Sequence, residues 1–249
     1  MLSPLRSLSW LLDFCYPGQC AACGSTYDSA AVFCTACESA MQDLFDAPAC
    51  ERCAMPLTTA GSPCPYCHGK GPPLLDRVVS LGLFKEPLKA AIHRAKYARR
   101  WGLAELLADR LLHQNGVAEL VCESDVIIPV PLHPSRQRER GYNQADVIAR
   151  HVGSRLRRTV REPVERLIHT ETQTHLHSRA KREENLREAF ALVSPKVVRG
   201  RRVLLVDDVM TTGATLRSLA RALRPAEPAS VSALVLAVAD PKGREFQVI

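Results

Sequence analysis

The chain has 249 residues, and its 33 basic and 26 acidic side chains give a formal net charge of +7 at pH 7. This length is sufficient for one full α/β core and a small appendage. No apolar stretch reaches the roughly 20 residues of a membrane-spanning helix, and Arg6, Ser9 and Asp13 interrupt any apolar core of a secretory signal. We therefore expect a cytoplasmic protein without a membrane span.

Cysteines are concentrated at the amino-terminal end. Nine of the ten precede residue 70, and eight of these form four C-x-x-C pairs. Each cysteine of the first two pairs recurs 30 residues later, so a four-cysteine unit is repeated. Two C-x-x-C pairs supply the four thiolates of one closed zinc site, and two units therefore predict two structural Zn2+ ions. The predicted ligands are Cys20, Cys23, Cys34 and Cys37 in one site and Cys50, Cys53, Cys64 and Cys67 in the other.

Disulfides are the alternative chemistry for these cysteines. The lack of a secretory signal disfavours them, because C-x-x-C pairs in the cytoplasm usually serve metal or redox chemistry. A cross-braced module is the alternative ligand pairing, in which the first C-x-x-C pair shares an ion with the third. The repeat favours two consecutive ribbons instead. Cys15 and Cys122 remain, and we expect both to pack as apolar side chains.

A Gly- and Pro-rich segment divides the chain into two predicted domains. Residues 69–73 have the sequence GKGPP, which interrupts any regular element. The segment before it has few large apolar side chains and needs metal ions to fold. We therefore predict a cysteine-rich double zinc-ribbon domain in residues 1–70 and a second domain in residues 74–249.

Predicted strands and helices alternate along the second domain. Strands are predicted at residues 78–84, 125–130, 164–168, 203–206 and 231–238. Helices are predicted from Pro87 with an apolar face reaching Leu111, at residues 144–156, and after residue 215, where Leu216, Leu219, Ala220 and Leu223 recur at helical spacing. This alternation predicts an α/β fold with a mainly parallel, doubly wound sheet.

One run, VLLVDDVMTTGATL at residues 203–216, places two carboxylates and a turn of small residues between a buried strand and a helix. Asp207 and Asp208 follow the strand at its carboxyl end, where open α/β sheets bind ligands. The turn can aim several backbone N–H groups at one anion, and its residues are Thr211, Thr212, Gly213, Ala214 and Thr215. A ribose 5-phosphate group fits both halves, with the phosphate on the turn and the hydroxyls on the carboxylates. An ordinary strand-to-helix connection with two N-capping acids is the alternative.

The same run closely resembles the signature of type I phosphoribosyltransferases, which bind 5-phosphoribosyl 1-diphosphate (PRPP). The resemblance implies PRPP with Mg2+ as the ligand, and a loop after an early core strand that contacts the diphosphate. Residues 129–145 fit that position, because the forked donors of their arginines match anionic oxygens, although a solvated surface loop is the alternative. The diphosphate candidates in this loop are Arg136, Arg138, Arg140, Asn143 and Gln144.

A second polar segment, residues 169–190, is longer than a compact domain normally needs. Loops of this length are commonly lids or binding segments. Five side chains of the segment are candidates to close over the diphosphate, namely Gln173, Arg179, Lys181, Arg182 and Asn185.

Together these features resemble the ComF family, bacterial proteins of the competence and DNA-utilisation type that join an amino-terminal zinc domain to a phosphoribosyltransferase domain. The resemblance covers nearly the whole chain and includes the C-x-x-C pairs, the Lys96-Tyr97 pair, residues 129–145 and residues 203–216. It implies PRPP binding and a link to the handling of internalised or single-stranded DNA, with DNA-uptake machinery as a partner. It implies no acceptor for a transferase reaction and no oligomeric state.

Charge bears on the DNA link. Residues 133–202 hold 17 basic and 8 acidic side chains, a net charge of +9, and such an excess attracts phosphates without sequence preference. A basic face that serves only PRPP is the alternative. Three function classes therefore remain: a phosphoribosyltransferase that displaces diphosphate from the anomeric carbon, a PRPP sensor without turnover, and a DNA-processing adaptor that uses the zinc ribbons and the basic surface.

Overall fold

The amino-terminal part of the protein is a small module built around the cysteines. The computed structural model describes residues 18–27, 31–96, 101–167 and 189–239. A short antiparallel ladder pairs β1 (Gly18–Gln19) with β2 (Thr26–Tyr27), and helix α1 (Thr35–Asp46) follows. This helix is not among the predicted elements, although the spacing of its buried residues Met41, Leu44 and Phe45 is typical of an amphipathic helix.

The remaining elements follow in chain order. The strands are β3 (Val78–Leu83), β4 (Val126–Pro129), β5 (Val164–Arg166), β6 (Phe190–Leu192), β7 (Arg202–Met210) and β8 (Ser230–Val238). The helices are α2 (Leu88–Lys96), α3 (Trp101–Leu112), α4 (Val117–Glu123), α5 (Pro134–Arg140), α6 (Gln144–Arg155) and α7 (Ala214–Leu223), with 3-10 turns at Pro195–Val197 and Arg224–Ala226. Among the described residues, no helix combines the length and the apolar character needed to cross a membrane.

A parallel sheet of four strands forms the core, in the order β3-β8-β7-β4. Every residue of β4 is buried, and so is every residue of β8 after its first, as expected for parallel strands covered by helices. The predicted α/β fold with a mainly parallel, doubly wound sheet is confirmed. The predicted strand at residues 164–168 corresponds to β5, which pairs antiparallel with β6 outside this sheet.

The structure corrects three predicted boundaries. The basic segment after β4 is not a plain loop, because α5 lies within it, with Pro134 in its first turn and Gly141 at its C-cap. The long helix predicted from Pro87 is two helices, α2 and α3, which pack against each other. β7 continues past Val206 to Met210, because it stays hydrogen-bonded to β8 there.

Neighbouring strands β4 and β7 send the chain in opposite directions. After β4, the chain passes through α6 and returns on the outer side of β4, where Val160 forms a parallel bridge with Ile127. After β7, it passes through α7 to β8 on the other side. In open α/β sheets, such a reversal opens a crevice at the carboxyl ends of the two strands. We call this the switch crevice.

The cysteine module covers the outer edge of the sheet. At the start of β3, the N–H of Val78 donates to the carbonyl of Arg52 at 2.9 Å. Over the face of this strand, the carbonyl oxygen of Leu44 lies 2.8 Å from the position that a Cβ atom on Gly82 would take. On the helices, Arg110 donates two hydrogen bonds of 2.6 and 2.9 Å to the carboxylate of Glu38. An exposed edge strand is a template for unwanted pairing, and the module covers part of this edge.

We predict that Gly82→Ala destabilises the protein by about 1–3 kcal/mol, because the added methyl group meets a backbone atom that cannot move aside. Gly102→Ala is the control, since a Cβ atom at that helical position meets nothing within 4 Å. The control should change the free energy of unfolding by less than about 1 kcal/mol. Chemical denaturation compares the two variants, and equal stabilities would contradict the close contact at Gly82.

Candidate functional site

The eight paired cysteines form two compact clusters. Within each cluster the four sulfur atoms all lie within 4.8 Å of one another. Individual separations are 3.8 Å for Cys23 and Cys34, 3.7 Å for Cys50 and Cys67, and 3.6 Å for Cys53 and Cys64. A tetrahedral ion with Zn–S bonds of about 2.3 Å holds its sulfur ligands about 3.8 Å apart. Both clusters therefore fit structural zinc with consecutive pairing, and the cross-braced alternative is excluded.

The backbone of the first cluster, which we call zinc site 1, favours a thiolate. The N–H groups of Ala22 and Cys34 each donate to the sulfur of Cys20 at 3.4 Å. Burial raises the pKa of this thiol, but the N–H donors outweigh burial and lower the pKa to about 6. The second cluster, Cys50 to Cys67, is zinc site 2. Of the unpaired cysteines, Cys15 lies outside the described residues, and the prediction that Cys122 packs as an apolar residue is wrong, because it is exposed.

We predict that the purified protein carries two zinc ions per chain, one in each cluster. Cys37→Ser removes a ligand of zinc site 1, so this variant should retain one ion. Cys122→Ser is the matched control and should retain both, because Cys122 belongs to neither cluster. Metal analysis by mass spectrometry gives the result. Equal zinc content in the two variants would show that the first cluster does not bind the ion.

Asp207 and Asp208 lie on the part of β7 that borders the switch crevice. Pairing between β7 and β4 ends at Val206, so within the described ranges no strand pairs with β7 on that side at the two aspartates. Lys96, the last residue of α2, places its Nζ atom 2.9 Å from Oδ2 of Asp208. The backbone N–H of Asp208 donates to Oδ1 of Asp207 at 2.8 Å. Two adjacent carboxylates are therefore held beside one lysine.

The two carboxylates differ in their electrostatics. Burial and then the neighbouring charge of Asp208 raise the pKa of Asp207 to about 7. The N–H bond from Asp208 and the charges of Lys96 and Arg166 oppose this rise but do not cancel it. The carboxyl group of Asp207 ionises readily in water, but the folded protein holds it in an environment that disfavours its negative charge.

We predict that Asp207 lowers the stability of the folded protein as pH rises from about 4 to 7. Over that range the folded protein keeps a proton that the unfolded chain has released, because the ordinary pKa is 3.8. Asp207→Asn removes this loss, so its stability relative to the wild type should increase between pH 5.5 and pH 8 by about 1–2 kcal/mol.

Asp125→Asn is the control for this comparison. Hydrogen bonds from Arg202 lower the pKa of Asp125 to about 2, so Asp125 is ionised throughout the range. Urea denaturation at both pH values measures the effect. A gain that is equal at both pH values for Asp207→Asn would show that its charge is not what destabilises the fold.

The turn after β7 joins the switch crevice to the start of α7. Gly213 has a positive φ of 70°, which glycine adopts without strain. A Cβ atom there would lie 3.2 Å from a guanidinium nitrogen of Arg217, which also donates to the carbonyl of Thr212 at 2.6 Å. The hydroxyl of Thr212 accepts from the N–H of Ala214 at 3.3 Å. Beyond it, the first N–H groups of α7, beginning with Thr215, have no acceptor within the helix.

The segment after β4 reaches the same crevice through a chain of hydrogen bonds. Arg140 donates to Oε1 of Gln144 at 3.3 Å, and Nε2 of Gln144 donates to the carbonyl of Lys96 at 3.2 Å. Asn143 caps α6 by accepting from Ala145 and ties the segment to β4 by donating to Val130. Asn143 and Gln144 are therefore engaged within the chain. The structure joins Arg140 to the lysine that pairs with Asp208.

The three predicted arginines of this segment differ in environment. Arg138 is exposed, whereas Arg136 and Arg140 are partly buried. The charge of Arg136 acts on Arg166 of β5, which also interacts with Asp207. Arg136 is therefore close to the carboxylate side of the crevice. The predicted lid residues Gln173, Arg179, Lys181, Arg182 and Asn185 lie outside the described residues.

Two residues of the crevice are absent from the predicted site. In the sequence, Lys96 is marked only by the Lys96-Tyr97 pair of the family resemblance, and its contact with Asp208 spans 112 residues of chain. Arg166 has its guanidinium 5.5 Å from the centre of the Phe190 ring. No local pattern marks either residue, because both reach the crevice only when the sheet is assembled.

Comparisons with known proteins agree with this architecture. A double zinc ribbon domain matches residues 11–68, and a phosphoribosyl transferase domain matches residues 145–248. The DNA utilization protein YhgH of Escherichia coli O6:H1 is 36% identical over 195 residues, covering 76% of this chain and 83% of that protein. Competence protein F of Haemophilus influenzae is 36% identical over 200 residues with the same coverage. Competence protein ComFC of Bacillus subtilis is 37% identical over 112 residues, covering 45% of this chain and 43% of that protein.

Fold and site thus define a phosphoribosyltransferase-type α/β domain that carries a double zinc ribbon at its amino-terminal side. With relatives of this identity and coverage, the chain belongs to the ComF family.

Proposed function

We propose that the protein binds PRPP in the switch crevice. The observation that carries this proposal is the placement of Asp207 and Asp208 on β7 beyond the end of its pairing with β4. Asp208 lies three residues before Thr211, where the turn between β7 and α7 begins. An acidic pair cannot hold a phosphate, whereas a helix start with free N–H groups can. A ligand that matches both therefore has a phosphate at one end and hydroxyls beside it, as a ribose 5-phosphate group does.

The turn supplies the phosphate half of the site. Gly213 allows a close approach, because a side chain there is strained and would crowd Arg217. Backbone N–H groups from Thr215 onward and the hydroxyls of Thr211, Thr212 and Thr215 are the donors we assign to the 5-phosphate, and Ala214 shapes the turn through its N–H bond to Thr212. The positive end of the α7 dipole favours the same charge.

The carboxylates supply the ribose half. Asp207 and Asp208 would accept hydrogen bonds from the 2- and 3-hydroxyls. Lys96 holds Asp208 in place at 2.9 Å and keeps a positive charge beside the position of the sugar. A hydrogen bond from a ribose hydroxyl to a carboxylate is charge-assisted, and it is roughly twice as strong as a hydrogen bond between neutral groups.

Basic residues around the crevice would hold the diphosphate. Arg136 and Arg166 lie close enough for their positive charges to repel each other. A bound anion would offset this repulsion. Asn143 and Gln144 hold the segment in place, and Arg138 stands exposed on α5. From the family resemblance we also assign lid roles to Gln173, Arg182 and Asn185. Bound to PRPP, Mg2+ would neutralise part of the diphosphate charge.

The reaction we assign is phosphoribosyl transfer. The bond between the anomeric carbon and the diphosphate oxygen breaks as a nucleophile of the acceptor bonds to that carbon, and diphosphate leaves with the electron pair. Positioning and the fixed positive charges of the crevice would supply most of the rate. A PRPP sensor without turnover is the alternative. Release of diphosphate stimulated by an added base or amine distinguishes the enzyme from the sensor.

We predict that Asp207→Asn with Asp208→Asn weakens PRPP binding by more than about 100-fold, since each lost charge-assisted bond costs about 1.5–3 kcal/mol. Asp125→Asn is the control, because this exposed aspartate pairs with Arg202 at the opposite end of β7. Isothermal titration calorimetry with Mg2+ measures both affinities. Gly213→Val tests the phosphate half separately and should weaken ribose 5-phosphate and PRPP alike.

Thermal unfolding must show that each variant is folded before its affinity is compared. Equal PRPP affinity in the wild type and the double variant would mean that the aspartates serve the fold alone. If Asp125→Asn also weakens PRPP binding, the cause is a general loss of structure or charge, and the result does not support a PRPP site in the switch crevice.

Nucleic-acid binding is the second activity that we propose. The net charge of +9 over residues 133–202 favours a polyanion, and relatives are named DNA utilization and competence proteins. Trp101 begins α3 beside a basic stretch and is 57% exposed, which suits stacking on a base. Paired cysteines that bind metal instead of forming disulfides are typical of a reducing compartment, so we propose a cytoplasmic location and the DNA-uptake machinery as a partner.

A further inference from the structure

A cleft lies at the end of the sheet opposite the switch crevice, next to zinc site 2. Its volume is about 770 Å3. Tyr66 and Lys70 line it from the zinc ribbon, and Arg224, Glu227 and Ala229 line it from the start of β8 and the turn before it. Lys70 and Arg224 are both exposed. The cleft therefore combines an aromatic ring with two cations that solvent reaches.

A row of exposed arginines continues from this cleft across the amino-terminal ends of the strands. The carbonyl of Arg201, just before β7, accepts from the N–H of Ala229 at 2.9 Å. Beyond β4, the carbonyl of Thr159 accepts from Ile127 at 2.9 Å, which puts Arg158 at the start of the outermost segment. From Ala229 to Thr159 the row crosses three inter-strand steps of about 4.8 Å, or roughly 14 Å. We name these residues the amino-end face: Lys70, Arg157, Arg158, Arg199, Arg201 and Arg224.

Cations outnumber carboxylates on the amino-end face, although the cleft itself is lined by two of each, Lys70 and Arg224 with Asp76 and Glu227. Within the described part of the chain, Arg158, Arg199 and Arg224 form no ion pair with a carboxylate. The carboxylates at this end are partly engaged: Asp125 is held by Arg202 and also lies near the charge of Arg201, and Asp76 accepts from the N–H of Val231. Glu227 is exposed and is one of the residues that line the cleft. Six cations face water across a short distance, which favours a ligand with several phosphates.

We propose that the cleft and the amino-end face bind the phosphate backbone of a single-stranded nucleic acid and leave the switch crevice free for PRPP. The proposal rests on the nucleic-acid part of the proposed function and gives it a location. A single strand suits the site, because a cleft of about 770 Å3 admits one or two nucleotides and is far too small for a duplex. The backbone contacts the arginine row, while a base enters beside Tyr66.

The parallel sheet keeps the two ligands apart. Arg202 and Asp207 stand at opposite ends of the buried part of β7, five residues or about 16 Å apart along the strand. This separation exceeds the screening length of about 8–10 Å at physiological salt. A nucleic acid on one end and PRPP on the other should therefore bind independently of each other.

Two variants with the same loss of charge test the location. The first is Arg158→Ala, Arg199→Ala, Arg224→Ala, on the amino-end face, and the second is Arg136→Ala, Arg138→Ala, Arg140→Ala, beside the switch crevice. Fluorescence anisotropy measures binding of a labelled oligothymidylate of about 20 nucleotides over a salt series, and calorimetry measures PRPP. Losing three phosphate contacts should reduce the slope of log K against log salt by about 2 in the amino-end variant.

The expected result is that the amino-end variant binds the oligonucleotide at least tenfold more weakly at low salt and keeps wild-type PRPP affinity. The crevice variant should do the reverse, and saturating PRPP should not displace the oligonucleotide from the wild type. An equal loss of oligonucleotide binding in both variants, or a loss confined to the crevice variant, overturns this location while leaving nucleic-acid binding intact. A wild type that binds no oligonucleotide at low salt refutes both the location and the nucleic-acid half of the proposed function.

Discussion

Two adjacent carboxylates at the end of a central strand are the constraint around which the crevice is built. Asp207 and Asp208 repel each other, and burial raises the pKa of Asp207 to about 7, so the pair works against folding near neutral pH. The positive charges of Lys96 and Arg166, which come from two different elements, partly offset this repulsion. Strongly shifted carboxylates in a crevice point to a ligand, because such groups cluster at functional sites.

The zinc module contributes to the same arrangement from a distance. Arg94 of α2 donates to the carbonyl of Cys20 at 3.1 Å and occupies the space that a side chain on Gly24 would need. Two residues later on the same helix, Lys96 pairs with Asp208. Arg110 of α3 anchors the module again by holding Glu38. The folded module therefore fixes the helix that brings a cation to the crevice, which gives the amino-terminal ribbons a role in shaping the site besides covering the edge strand.

Local patterns in the sequence predicted the features that depend on residues close together in the chain. The cysteine spacing predicted both clusters, because a chelating pair needs only two intervening residues, and the buried runs predicted the parallel strands. Helix α5 was hidden by its polar composition, although Pro134 and Gly141 mark its two ends. Lys96 and Arg166 have no local signature, since their positions depend on which strands become neighbours. The placement of basic residues at one end of the sheet also follows from topology alone.

Helix direction explains why the two ends of the sheet acquire different chemistry. Because α6 and α7 run back from the carboxyl ends of the strands, their amino-terminal ends lie at the switch crevice and their carboxyl-terminal ends lie at the amino-end face. Free N–H groups at the first end attract a phosphate directly, while the negative end of the helix dipole at the second favours cations. Arg157, Arg158 and Arg224, which immediately follow these helices, therefore sit where the backbone favours positive charge. One sheet thus presents phosphate-binding backbone at one end and phosphate-binding side chains at the other, without either charge set disturbing the other.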